Sequence, residues 1–140
     1  MDFPKEYQPD EAPEAVRQLV NQLLPLLIEG DHPALAALRQ QLPRLRTTRV
    51  ELTGSGFYVD FDVPGEVPLA EPPNFAGGDA VITRAGFTVP AGCVLFVRKG
   101  RLATLEGYTY GESWPDDAVV LSIEDVVPVF PGYPSNSGCT

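Results

Sequence analysis

Two carboxylates, two phenols and the chain's single tryptophan fall within one ten-residue stretch, Glu106-Gly107-Tyr108-Thr109-Tyr110-Gly111-Glu112-Ser113-Trp114-Pro115. Aromatic rings beside carboxylates can stack a sugar or hold a cationic side chain, and a cation over a ring is worth about 0.5–2 kcal/mol. The plainer reading makes Tyr108 and Trp114 packing anchors and gives Glu106 to buried amides. Asp60 and Asp62 stand two residues apart and share a face if they lie on a strand. Such a pair suits acid–base chemistry or a cation, and equally a solvated face. The spacing shows no further oxygen ligands, so no metal or cofactor is expected.

The remaining reactive residues point to no catalytic machinery. His32, the only histidine, precedes Pro33 at a predicted helix start and has no sequence-adjacent nucleophile to serve, which favours a capping role. Cys93 sits inside the apolar run Ala91-Gly92-Cys93-Val94-Leu95-Phe96 and reads as a small buried hydrophobe. Gly54-Ser55-Gly56 precedes a strand pattern rather than a helix, unlike a nucleophile elbow. No glycine-rich phosphate loop occurs. No catalytic residue is assigned; the reading leans away from an enzyme and leaves catalysis open.

The elements that must position these groups follow from periodicity. Residues 1–12 are polar and broken by Pro4 and Pro9, and predict an irregular arm. Pro13 and Glu14 suit a helix start, and Val16, Leu19, Val20, Leu23 and Leu27 make one apolar stripe, with Pro25 expected to kink or end it. A second helix is predicted from Pro33 to Leu42, with Asp31 as its N-cap. From Arg46 the period becomes two. Val50 and Leu52 alternate with Arg49 and Glu51, and Phe57, Val59, Phe61 and Val63 alternate with Tyr58, Asp60 and Asp62, which predicts an antiparallel hairpin. Phe57, Phe61, Leu95 and Leu105 are predicted core residues.

Residues 64–78 are rich in Pro and Gly and predict an extended loop. Strands are predicted at 79–84, 93–98 and 101–108, the last two as a hairpin across Lys99-Gly100. The uninterrupted apolar run from Cys93 to Val97 suggests a central strand covered on both faces. One or two strands close the chain at 118–123 and 126–130, before a tail at 131–140. The expected fold is a single α+β domain: an arm at 1–12, a helical part at 13–45 and a β-rich part at 46–130. In it two N-terminal helices pack on a mostly antiparallel sheet of five to seven strands.

Charge narrows the partners. Of a formal net charge of −9 over 140 residues, residues 1–50 carry six Lys/Arg against seven Asp/Glu, and residues 51–140 carry four against twelve. An acidic surface repels phosphate backbones and anionic lipid and favours a basic protein, or serves solubility alone. The start, Met1-Asp2-Phe3-Pro4-Lys5-Glu6, has no signal-peptide pattern, and the two cysteines, Cys93 and Cys139, have no metal spacing. A cytoplasmic protein is expected, with neither nucleic acid nor membrane as partner.

Three stretches in order also carry a resemblance: Arg49-Val50-Glu51-Leu52-Thr53-Gly54-Ser55-Gly56-Phe57-Tyr58-Val59-Asp60-Phe61-Asp62-Val63-Pro64, Gly92-Cys93-Val94-Leu95-Phe96-Val97-Arg98-Lys99-Gly100-Arg101-Leu102, and Leu105-Glu106-Gly107-Tyr108-Thr109-Tyr110-Gly111-Glu112-Ser113-Trp114-Pro115. Together, over about residues 35–125, they resemble a group of small uncharacterised bacterial proteins with the pattern TGxGFxxxFxVP … LFxxxGxLxxLExYxYxxxWP. The resemblance implies no agreed activity; proteins of this style often accompany secreted toxins as immunity proteins. The leading expectation is therefore a protein-binding module such as a toxin-neutralising immunity protein, which contacts a basic partner through Tyr58, Asp60, Asp62, Tyr108, Tyr110, Glu112 and Trp114. The alternative is a small-molecule-binding protein or unassigned enzyme that uses Glu106, Glu112, Asp60 and Asp62 beside Trp114. A homodimer without ligand is the third reading.

Overall fold

A computed structural model of the chain describes residues 4–84, 88–111, 113–114 and 120–129. Helix α1 spans Glu14–Leu27 and buries Val16, Leu19, Val20, Leu23, Leu24 and Leu27, the expected stripe with one leucine added. Pro25 lies inside it on the exposed side, so the lost backbone donor falls in the last turn and the helix runs two residues further. Helix α2 spans Pro33–Gln41. Its N-cap is His32 rather than Asp31: the imidazole Nδ1 accepts from the Ala34 amide at 3.0 Å.

The strands are β1 (Lys5–Tyr7), β2 (Arg46–Leu52), β3 (Gly56–Asp62), β4 (Phe75–Gly77), β5 (Asp79–Arg84), β6 (Gly92–Arg98), β7 (Arg101–Tyr108) and β8 (Val120–Val127). Six form one antiparallel sheet in the order β1-β2-β3-β7-β6-β4, and β5 and β8 pair as a separate antiparallel ribbon. The class is α+β with two helices and an antiparallel sheet, as expected. The placement of both helices ahead of every strand is not what the chain does. Lys5–Tyr7, inside the expected arm, pairs with β2 as an edge strand, and a 3₁₀ turn at Pro9–Glu11 follows it before α1. Residues 118, 119 and 130–140, which include Cys139 and the expected tail, lie outside the described residues. Of the one or two closing strands expected, the described residues hold one, β8, with an irregularity where Asp125 takes φ 50°.

Alternation gives the large sheet two faces. Val50, Leu52, Phe57, Val59, Phe61, Cys93, Leu95, Val97, Leu102 and Leu105 point inward and join the helices and the ribbon in one core. The registers Val50↔Val59↔Leu105↔Leu95 and Glu51↔Tyr58↔Glu106↔Val94 place these sets on opposite sides. Among the described residues, strand β6 is therefore fully covered on its inner face only. Val94 and Phe96 lie half-buried on the outer side, and β6 has only the three-residue β4 between it and the sheet edge.

The proline-rich segment is a built connection. The β6–β7 hairpin turns on Lys99 and Gly100, both at positive φ, as a tight two-residue turn requires. The Gly100 amide donates to the Pro73 carbonyl at 2.8 Å, and the Gly100 carbonyl accepts from Ala70 at 3.0 Å. Asn74 Oδ1 accepts from the Lys99 amide at 2.9 Å, and Arg101 donates to the carbonyls of Val63 and Gly65. Gln41, fully buried at the end of α2, ties these together: its Nε2 donates to Pro68 and Gly100 carbonyls, each at 2.8 Å, and its Oε1 accepts from the Leu102 amide at 3.0 Å. Every polar atom of the side chain is used, which is what makes the burial of an amide tolerable. Gln41→Ala leaves two carbonyls and one amide without this partner, each worth about 1–3 kcal/mol. Denaturant unfolding should show a loss of about 3 kcal/mol or more, against less than about 0.5 kcal/mol for the exposed neighbour in Gln40→Ala.

Candidate functional site

The outer face of the sheet gathers most of the residues singled out from the sequence. Tyr58 and Asp60 of β3 and Tyr108 of β7 are half-buried there, Asp62 is exposed, and Tyr110 follows just beyond β7 with 58% of its surface exposed. Glu112 lies outside the described residues. Trp114 requires a correction, because it is only 2% exposed.

The burial of Trp114 has a local cause. Phe57 faces the core opposite Gly107, and its ring lies across that glycine: a Cβ there would stand 2.2 Å from Cε2. The ring then meets Trp114 edge to face, with centroids 5.2 Å apart at 75°, and the Arg84 guanidinium lies 5.1 Å from the indole centroid. After β7 the chain is tied back to the β2–β3 turn. The Thr109 amide donates to Ser55 at 2.9 Å, and the Trp114 amide donates to Gly54 at 2.8 Å. Gly111 supplies the positive φ between them. The stretch thus starts on the outer face at Glu106 and reaches the core at Trp114. Trp114 is no surface anchor, and the alternative site that leaned on its ring loses that wall.

Electrostatically the face has two ends. At the Asp60–Asp62 end this chain's own arginines meet the carboxylates. Arg49 Nε donates to Asp60 Oδ2 at 2.9 Å, and Arg49 Nη1 lies 3.3 Å from Glu51 and 3.5 Å from Glu6. Arg46 pairs with Asp62 at 3.2 Å. Asp60 Oδ1 also accepts from Thr104 Oγ1 at 2.9 Å, and that oxygen accepts from Arg98 at 3.3 Å. The Arg49 guanidinium is driven to a raised pKa, first by its hydrogen bond to Asp60. Exposed pairs of this kind add little stability, but they cancel the field that a basic partner would feel. Asp60 and Asp62 do share a face, yet as the acids of a matched network rather than as a free pair.

At the other end the carboxylates are Glu106 and Asp79, and among the described residues neither is paired with a Lys or Arg. Glu106 hydrogen-bonds the Tyr58 phenol, which raises the phenol's pKa, with burial adding to it. Asp79 Oδ1 accepts from the Ala80 amide at 2.8 Å and the Cys93 amide at 3.3 Å. Asp79 and Gly92 were not singled out by the sequence; Asp79 opens a predicted strand with no partner in its own segment. The Tyr108 pKa is raised by burial first, then by its hydrogen bond to Tyr110 and by the Asp79 charge. Burial pushes the Cys93 thiol up to about 12, with Asp79 adding to it. That agrees with an inert buried thiol.

Among the described residues no three His, Cys, Asp or Glu side chains gather as a metal group, and no helix is long and apolar enough to cross a membrane. A cleft of about 360 Å³ lies between α1 and the inner face of β2–β3, lined by Val16, Val20, Val50 and Val59 with Arg17 and Asp10 among its polar residues. None of the carboxylates singled out from the sequence lines it.

Comparison with known proteins returns nothing: no family model, no curated protein and no solved structure matches the chain.

The buried thiol makes stability depend on alkaline pH. Folding holds Cys93 protonated above the pH at which the unfolded chain ionises it, from a usual value of 9.0 to about 12. Its contribution is therefore complete below pH 9 and is lost as pH rises toward 12. Denaturant unfolding at a series of pH values should show stability falling above pH 9, with a shallower fall in Cys93→Ala.

Proposed function

We propose that this protein is a protein-binding module whose docking surface is the outer face of the six-stranded sheet, toward its Tyr58–Glu106–Tyr108 end, and whose partner is a basic protein. The observation that carries the reading is the division of charge on that face. Arginines match Asp60 and Asp62, while Glu106 and Asp79 lie beside three phenols with no basic partner among the described residues. Tyrosine suits such a surface because it offers a large rigid contact area with one polar tip. The half-buried Val94 and Phe96 on the same face add apolar area between the two ends. The net charge of −9 works against nucleic acid and anionic lipid as partners. Within this class the specific reading is a bacterial cytoplasmic immunity protein that neutralises a basic toxin domain, supported by the acidity and by the resemblance given above.

The test compares immobilised baits. Wild-type protein should capture a basic partner whose association slows with added salt. Glu106→Lys should slow association by roughly tenfold, as removal of a steering charge does. Swapping the matched pair (Arg46→Asp with Asp62→Arg) should leave the rate nearly unchanged. Association indifferent to salt and to Glu106→Lys would leave the acidity as a solubility feature only, and self-association of the bait alone would point to a homodimer.

A further inference from the structure

The outer face of the sheet is basic at one end and acidic at the other. Arg98, Lys99 and Arg101 stand at the β6–β7 turn, and among the described residues no carboxylate lies within ion-pair distance of any of them. Arg46 and Arg49 nearby are already matched by Asp62 and Asp60, so these three cations are surplus. Arg98 and Lys99 are exposed. The Arg98 guanidinium is held on the outer side: it lies 5.2 Å from the centroid of the Phe96 ring and donates to Thr104 at 3.3 Å. At the far end of the same hairpin Glu106 and Tyr108 stand opposite Val94 and Gly92. The run of β6 from Gly92 to Arg98 sets the two ends about 20 Å apart. Between them lie Val94 and Phe96, apolar and half-buried.

Such a face is complementary to itself. Two copies can meet face to face about a two-fold axis that runs along the strands or across them. An axis along the strands sets acidic end on acidic end and basic end on basic end. An axis across the strands reverses one copy. The Arg98–Lys99 turn of each then lies over Glu106 and Tyr108 of the other, and Val94 of each lies near Phe96 of the other at the centre. Charge therefore selects the second arrangement, which is closed and isologous. Two chains of net charge −9 repel as wholes. At physiological ionic strength, however, exposed charges are screened beyond about 8 Å, which leaves the contacts across the face to decide. Four strands about 5 Å apart and about 20 Å long offer roughly 400 Å² a side, below the usual size of a stable complex. The pairing is accordingly weak and reversible. We infer that, when no partner is bound, the protein covers this face with a second copy of itself in the antiparallel two-fold arrangement. The inference shares the docking face proposed above and goes beyond it: the second copy's Arg98–Lys99 turn takes the end proposed for the basic partner and competes with it.

Sedimentation equilibrium of the full chain, over a concentration series reaching hundreds of micromolar, reads the mass directly. Wild-type protein should pass reversibly from monomer to dimer and no further. Arg98→Glu, at an exposed position, and Glu106→Lys should each weaken the dimer by roughly tenfold or more, because each sets like charges together twice across the axis. An equal mixture of the two variants should restore pairing to within about threefold of wild type, since the reversed turn of one chain then meets the reversed acidic end of the other. A melting curve on each variant checks that it is folded, and Arg98→Glu decides alone if Glu106→Lys is not. A wild-type chain that stays monomeric, a dimer indifferent to Arg98→Glu, a loss that the mixture of folded variants does not restore, or mass that grows past the dimer would overturn the pairing. Partner capture is a separate readout. Capture that still slows with Glu106→Lys leaves the docking reading standing without the dimer, and a dimer with no salt-dependent capture leaves the dimer standing without the docking reading.

Discussion

Side chains on a β-strand alternate between faces, and among the described residues helices and a ribbon seal one face of the six-stranded sheet. Strand β3 shows how much hangs on this. Phe57, Val59 and Phe61 enter the core, and Tyr58, Asp60 and Asp62 are sent out by the same pleat. A one-residue slip would bury two aspartates and expose three large apolar groups, so burial and register enforce each other. The matched registers across β2, β3, β7 and β6 carry that choice from strand to strand and lay the polar and aromatic groups of four strands side by side on one surface.

Two departures from regular sheet chemistry shape what that surface can do. Gly107 and Gly92 are both glycines within strands, where glycine usually weakens the ladder. Each makes room for an aromatic ring from the neighbouring strand, Phe57 on the inner face and Tyr108 on the outer. The inner ring gives Trp114 something to pack on, and the outer one covers Gly92. At the opposite end the buried amide of Gln41 joins α2, the proline-rich connection and the β6–β7 turn. The hairpin that presents Thr104, Glu106 and Tyr108 is thus anchored from behind rather than left to its ladder alone.

Period-two alternation makes the β2–β3 and β6–β7 hairpins legible in the sequence, along with the helical stripe from Val16 to Leu27 and the shared face of Asp60 and Asp62. Pairing is less legible. The partner of Asp60 is Arg49 on the adjacent strand, and the register shift between Thr47 and Arg49 moves that arginine by a residue, which periodicity along one strand does not report. Strands β1 and β4 have three residues each, too short for any pattern to show. Val94 and Phe96 suggest a strand buried on both faces because an apolar run does not say whether anything covers it. Trp114 misleads for a different reason. It follows a glycine turn in a segment without periodicity, and the backbone bonds of Thr109 to Ser55 and of Trp114 to Gly54 tie this segment back to the β2–β3 turn, which no pattern along the sequence reports. The glycine at position 107, in the middle of a strand, was the available signal that a ring from next door lies there.

The division of the Glu106–Trp114 stretch between two faces is the point on which both the fold and the proposed docking face stand, and the chain's single tryptophan reports on it. Acrylamide quenching of intrinsic fluorescence measures its access to solvent directly. A Trp114 packed on Phe57 should emit at blue-shifted wavelengths and resist quenching until denaturant unfolds the chain. Emission like that of an indole in water, quenched equally in native and unfolded protein, would put Trp114 on the surface and contradict the two-faced arrangement.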